Sequence, residues 1–265
     1  MSKKDSKIKK NFWQIFYAIL AALVIRSFLY EPFSIPSGSM YPNLKVGDYL
    51  FVSKTSYGPR VPITPLSFPL VHHTLPIIGG KSYLEWLKIP YHRMSGWKNA
   101  NEQSPIGVER NDCVVFNWPA EREGRPIDKK ENYVKRCVGI PGDTIEINNS
   151  YLFVNNKPQD SVFGMKKQWS YRVEMKRNTS LNQKILYEKY DITEVRRYGK
   201  DWILNLTDVS LKEISKIKNI KKITKLISEG ENDYRIMFPQ DRRYKWTSDN
   251  FGPLLIPEKG KYING

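Results

Sequence analysis

The sequence predicts a mainly β protein: an N-terminal transmembrane helix, then an antiparallel β-sheet domain that carries a small α/β insertion. Three observations predict it. One long apolar run follows a lysine-rich start. Short apolar runs bounded by turn formers come next, as strands do. Beyond about residue 160 the spacing of apolar residues becomes helical.

Lys3, Lys4, Lys7, Lys9 and Lys10 form a basic tail over 1–11, and the anchor occupies 12–30. From Phe12 to Leu29 only Gln14, Arg26 and Ser27 are clearly polar. Eighteen helical residues rise about 27 Å, enough for a thin bilayer. Arg26 lies one turn from the end and can reach the interface. Phe28, Leu29, Tyr30, Glu31 and Pro32 follow, with no small-x-small pair for cleavage, so the run reads as an uncleaved anchor. Its basic flank stays cytoplasmic and sends the rest of the chain across the membrane.

The β domain is expected over 31–160. DYLFVSK (48–54) and DCVVFNW (112–118) read as strands, and NYVKRCVGI (132–140) alternates. GDTIEINNSYLFVNNKP (142–158) reads as a hairpin turning at Asn-Asn-Ser. Rich in Pro, Gly and aromatics, 55–110 reads as an irregular excursion. The α/β insertion spans 161–240. Within it LKEISKIKNIKKITKLI (211–227) places Leu211, Ile214, Ile217, Ile220, Ile223 and Leu226 three apart, predicting an amphipathic helix with a solvated lysine face. Residues 241–265 read as an incomplete return to the core.

At 40% hydrophobic and 13% aromatic, the 265-residue chain can fill a core. Its net charge of +16 calls for an anionic neighbour. The charge is spread through Lys-rich segments, a usage that biased coding also produces, so phospholipid is expected and nucleic acid is not. Cys113 and Cys137 sit in apolar runs and read as buried small hydrophobes rather than a disulfide. No Cys or His spacing suggests a metal site, and no cofactor is expected. His72, His73 and His92 all lie in the excursion without a supporting motif, and read as exposed loop residues.

Lys135 shares a strand face with Tyr133 and Cys137. A lysine buried on an apolar face favours its neutral form, and a neutral amine is a general base able to take a proton from a serine hydroxyl. A lysine that snorkels from an edge strand would look the same in sequence.

Three blocks then point one way: PSGSMYPNL (36–44), VGDYLFVSK (46–54) and YVKRCVGIPGD (133–143). In this order, behind a basic tail and an anchor that exits through EPFSIPSGSM, the chain resembles bacterial type I signal peptidases, the Ser/Lys-dyad leader peptidases. The resemblance covers roughly residues 12–160. It implies that Ser39 is the nucleophile and Lys135 its general base. Ser37 would donate its hydroxyl to the oxyanion hole beside the backbone N–H of Ser39. Ile35, Met40, Leu44, Tyr133 and Val134 match positions that form shallow apolar pockets for small side chains, the origin of an Ala-x-Ala preference. The expected partners are the signal peptides of preproteins and membrane phospholipid. The expected location is the cytoplasmic membrane, with the catalytic domain on its outer face. Gly38 is expected to let the serine turn take unusual dihedrals. Gly47, Asp48 and Gly139 to Asp143 look like structural turns.

Two positions depart from the pattern. Asn43 stands where the family has Thr. TSDNFGPLLIPEKG (247–260) holds Asp249 and Asn250 but not the family's Gly-Asp-Asn-Arg…Ser-x-Asp-Ser-Arg block. A truncated or split version, with a separate chain supplying that segment or with binding in place of cleavage, is the alternative expectation.

Overall fold

The computed structural model describes residues 3–68, 71, 74–75, 79–98, 106–159, 166–176, 179–228, 234–235 and 237–261. His72 and His73 lie outside the described residues. The chain forms two compact units, one from Met1–Ser34 and Tyr49–Ile140, the other from Ile35–Asp48 and Pro141–Gly265.

In the first unit, helix α1 (Lys3–Val24) runs on through a π-helical turn at Ile25–Leu29. Lys9–Leu29 is long and apolar enough to cross a membrane. Phe12, Ile15, Phe16, Ile19 and Leu20 stand exposed, a surface that hydrocarbon accommodates and water does not. Arg26 does more than reach for the interface: its Nη2 lies 3.0 Å from Glu31 Oε1, and Lys54 Nζ lies 2.8 Å from Glu31 Oε2. Glu31 belongs to β1 (Tyr30–Ser34), which pairs antiparallel with β2 (Tyr49–Ser53). β3 (Cys113–Asn117) pairs antiparallel with β4 (Asn132–Arg136). Among the described residues between β2 and β3, pairing is limited to isolated bridges such as Arg60 with Arg93 and Ser67 with Tyr83. The described residues of the excursion form no named strand or helix.

Neither cysteine forms a disulfide, and Cys113 is exposed while Cys137 is half-buried. The expectation of two buried small hydrophobes is corrected for Cys113: it opens one strand of a two-stranded ribbon, where the end residue keeps its solvent.

The second unit contains two four-stranded antiparallel sheets. One is ordered β12-β5-β6-β7, from β5 (Thr144–Asn148), β6 (Tyr151–Val154), β7 (Lys157–Pro158) and β12 (Phe251–Leu255). The predicted hairpin turns at Asn149 and Ser150, both at positive φ (49° and 72°), as a two-residue type I′ turn requires. β12 bulges against β5 at Gly252 and Pro253. Gly252 has φ +94°, and a Cβ there would stand 2.5 Å from the Ile145 carbonyl oxygen, so only glycine fits.

The other sheet is ordered β11-β8-β10-β9, from β8 (Trp169–Met175), β9 (Val195–Tyr198), β10 (Asp201–Leu206) and β11 (Ile220–Lys225). Helices α2 (Gln183–Tyr190) and α3 (Asp208–Ile214) accompany it. Asn182 caps α2, its Oδ1 accepting from Lys184 N at 2.9 Å, and Thr207 caps α3 through Ser210 N at 3.1 Å. Val173, Leu204, Leu206, Leu186, Ile192 and Ile214 are fully buried in the core of this small α/β unit.

The long helix expected over 211–227 does not form. α3 ends at Ile214, and Ile220–Lys225 is a strand. Residues three apart in a strand normally face opposite sides. Here a bulge between Ile220 and Lys222 adds one residue, so Ile220 and Ile223 both pack on the core. The threefold spacing is real, but it is produced by a short helix, a turn and a bulged strand in succession.

Candidate active site

The segment 35–48 belongs to the second unit and closes on itself. Ile35 N donates to Asp48 O and Gly47 N to Ile35 O, both at 2.9 Å. At its base, Asp48 Oδ2 accepts from Lys45 N at 2.7 Å, and Gly47 takes φ +91°, the turn expected there. Ser37 is extended, and Gly38–Met40 is one 3-10 turn. Tyr41 N donates to Gly38 O at 2.9 Å and Leu44 N to Met40 O at 3.0 Å.

This turn sorts its side chains by polarity. Ile35, Met40 and Tyr41 are buried, Leu44 is half-buried, and Ser37 and Ser39 are exposed. The two serine oxygens stand 3.4 Å apart, longer than a strong O–H···O bond. Ser39 opens on a cleft of about 350 Å³ whose walls include Gly38, Tyr41, Trp169, Glu194 and Asn205.

Gly38 corrects one expectation. Its φ is not among the positive ones, so unusual dihedrals are not why glycine stands here. A Cβ at this position would meet Glu194 Oε1 at 2.7 Å. Glu194 Oε2 accepts from Asn205 Nδ2 at 2.5 Å, and Asn205 Oδ1 accepts from Ser170 Oγ at 2.7 Å. Tyr41 Oη donates to the Asp191 carbonyl at 3.0 Å. Burial, and then Asp191, push the Tyr41 phenol well above the usual tyrosine range. Glu194, Asn205 and Asp191 carry no signal in the sequence, since they lie in the insertion, far along the chain from PSGSM. Tyr41 sits inside that block and is the one neighbour a closer reading of the motif could have marked.

Tyr133, Val134 and Lys135 belong to β4 of the first unit. Lys135 pairs in register with Val114, Val134 with Val115, and Tyr133 with Phe116. All three are half-buried. Lys135 and Tyr133 share a face: the ammonium lies 5.9 Å from the Tyr133 ring centroid, and Trp118 stacks on that ring at 5.1 Å. The strand is held at its ends by Asn117 Nδ2 donating to Asn132 Oδ1 at 3.1 Å and by Arg136 donating to Asn111 O at 2.8 Å. His92 is exposed, and no cluster of metal-ligating side chains occurs among the described residues.

Known proteins bear on both strands of this description. The family model for signal peptidase, peptidase S26, matches residues 8–208. A signal peptidase I of Buchnera aphidicola is 28% identical over 278 aligned positions, covering 97% of this chain and 74% of that protein. One from Pseudomonas aeruginosa is 33% identical over 150 positions, covering 56% of this chain and 37% of the relative. One from Rickettsia typhi is 31% identical over 59% of this chain and 47% of its own length. In these last two the match spans less than half of the relative. No solved structure matches.

Proposed function

This chain belongs to the signal peptidase family, peptidase S26, and on that premise we propose that it is a membrane-anchored serine endopeptidase removing signal peptides from exported preproteins. The observation that carries the proposal is the Ser39 turn: an exposed hydroxyl beside a second one, Ser37, on a cleft, within the PSGSMYP stretch that resembles the family's serine block.

In the proposed reaction Ser39 Oγ attacks the scissile carbonyl carbon while Lys135, as general base, takes its proton. The Ser37 hydroxyl and the Ser39 backbone N–H donate to the oxyanion. The intermediate collapses, the C–N bond breaks, and the lysine's proton passes to the leaving amine, the new N-terminus of the mature protein. Water, deprotonated by the same lysine, then hydrolyses the acyl-serine ester. The family resemblance alone assigns Ile35, Met40, Leu44, Tyr133 and Val134 to subsites for small side chains, and with them a preference for cleavage after Ala-x-Ala. The apolar helix over Lys9–Leu29 holds the enzyme in the cytoplasmic membrane, with phospholipid around it. The lysines before it keep the N-terminus inside, so cleavage takes place on the outer face.

The test is cleavage of an Ala-x-Ala preprotein by the detergent-solubilised chain, compared with Ser39→Ala and Lys135→Ala. Both variants should lose about 10³-fold or more in kcat, the scale of losing a member of such a dyad. Undiminished cleavage by either would sink the assignment.

A further inference from the structure

The four residues between α2 and β9, Asp191-Ile192-Thr193-Glu194, touch the serine turn on both sides of Ser39. Before it, Glu194 Oε1 stands 2.7 Å from where a Gly38 Cβ would be. After it, Tyr41 Oη donates to the Asp191 carbonyl at 3.0 Å, and Lys45 Nζ lies 3.4 Å from Asp191 Oδ1.

This strap is itself fixed in place. Asp191 closes α2 in the left-handed conformation (φ 55°), its N–H bonded to carbonyls of the last turn. Ile192 is fully buried in the α/β core, and its N–H donates to Leu186 O at 3.0 Å. Glu194 is tied to β10 twice, by Asn205 Nδ2 at 2.5 Å and by its own carbonyl accepting from Asn205 N at 3.2 Å. Ser170 on β8 then orients the Asn205 amide at 2.7 Å. A continuous line of contacts therefore runs from the middle of the sheet to the residue next to the proposed nucleophile.

We propose that the strap 191–194 positions the Ser39 turn, and that Glu194 is the positioning residue that sets Gly38, and through it the Ser39 hydroxyl and N–H, against the cleft. The proposal rests on the peptidase reading. It gives the α/β insertion a part in catalysis and gives the glycine of PSGSM a steric reason. A turn displaced by even an ångström moves both the attacking oxygen and an oxyanion donor, and displacements of that size cost about 10²-fold in rate. Glu194 lies on the wall of the cleft and is argued to act through Gly38 rather than on the reacting atoms, so its loss should lower kcat more than it raises KM.

The experiment is a double-mutant cycle on the full chain in detergent, read both by preprotein cleavage and by the thermal unfolding midpoint. Gly38→Ala adds a methyl group against the Glu194 carboxylate and should lower kcat about 10- to 100-fold. Glu194→Ala alone should lower it about tenfold, while Glu194→Gln, which keeps the shape and the Asn205 contact, should stay within about threefold of wild type. Combined with Gly38→Ala, Glu194→Ala should restore most of the lost rate and raise the midpoint above that of Gly38→Ala alone. Independent effects in both measurements, or a Glu194→Ala enzyme with wild-type kcat, would overturn the proposal. If Ser39→Ala cleaves normally, the peptidase reading falls instead, and the unfolding cycle still reports whether Glu194 meets residue 38.

Discussion

Tyr41 and Asp191 lie 150 residues apart in the chain, and the phenol of the first donates to the backbone carbonyl of the second at 3.0 Å. Tyr41 is buried while Asp191 is exposed, so removing that donor loses a part-buried hydrogen bond. Tyr41→Phe should therefore cost about 1 kcal/mol of stability, measured by thermal or denaturant unfolding. The pH dependence has a definite sign. Burial and the Asp191 carboxylate raise the phenol's pKa in the folded state. Its contribution is thus complete below the ordinary tyrosine pKa of about 10 and fades as pH climbs above it. The gap between wild type and Tyr41→Phe should narrow in that window.

Asp112 shows the opposite sign. Burial alone would raise its carboxyl, but Lys98, the Glu109 amide and the Tyr57 hydroxyl outweigh burial and hold it below the usual carboxylate range. Lys98 Nζ stands 2.8 Å from Oδ2, and Tyr57 Oη donates to the same oxygen at 2.8 Å. Asp112→Asn should destabilise the first unit by about 1–3 kcal/mol at neutral pH. That deficit should vanish as acid takes the wild type below about pH 4, down through its depressed folded pKa. Unfolding followed across pH 2 to 7 checks it.

Lys129 is 9% exposed, and burial lowers its pKa. Its ammonium lies 5.8 Å from the Tyr83 ring centroid, which offsets part of the desolvation. Lys129→Met keeps the stem and removes the charge. It should raise stability by about 1 kcal/mol at neutral pH. The advantage should shrink as pH rises toward the lysine range, where the wild-type amine sheds its proton in the folded state first.

Asn155 and Asn156 join β6 to β7 at φ 51° and 61°. Asn155 is committed, its Oδ1 accepting from Thr144 N and its amide donating to Asp143, both at 2.9 Å. Asn156→Gly converts the pair to the preferred type I′ sequence and should stabilise the hairpin by about 0.5–1 kcal/mol, seen as a higher unfolding midpoint.

Local rules carried much of the fold. The hairpin of 142–158 was legible because Asn-Asn-Ser can take positive φ between two alternating runs. The apolar helix was legible because eighteen residues with only three clearly polar ones form one continuous apolar run, which fits a membrane anchor. The strand bearing Lys135 was legible from alternation, and its shared face with Tyr133 follows from the same period. The helix expected over 211–227 failed because periodicity records which residues turn inward, not the backbone that turns them. A bulged strand and a helix satisfied the same isoleucines. Around Ser39, the turn itself was legible, whereas Glu194 and Asn205 were not. Their relation to Gly38 exists only after a sheet from the far end of the chain has formed, and no pattern near residue 38 encodes it.

The tie between Tyr41 and Asp191 also orders events in time. The chain is made from its N-terminus, so the segment with Ser39 emerges some 150 residues before the carbonyl that secures Tyr41. Until α2 has closed and Ile192 has found its core, nothing from that region steadies the serine turn. On the proposed peptidase reading, Ser39 therefore reaches its working geometry only after the α/β insertion has folded.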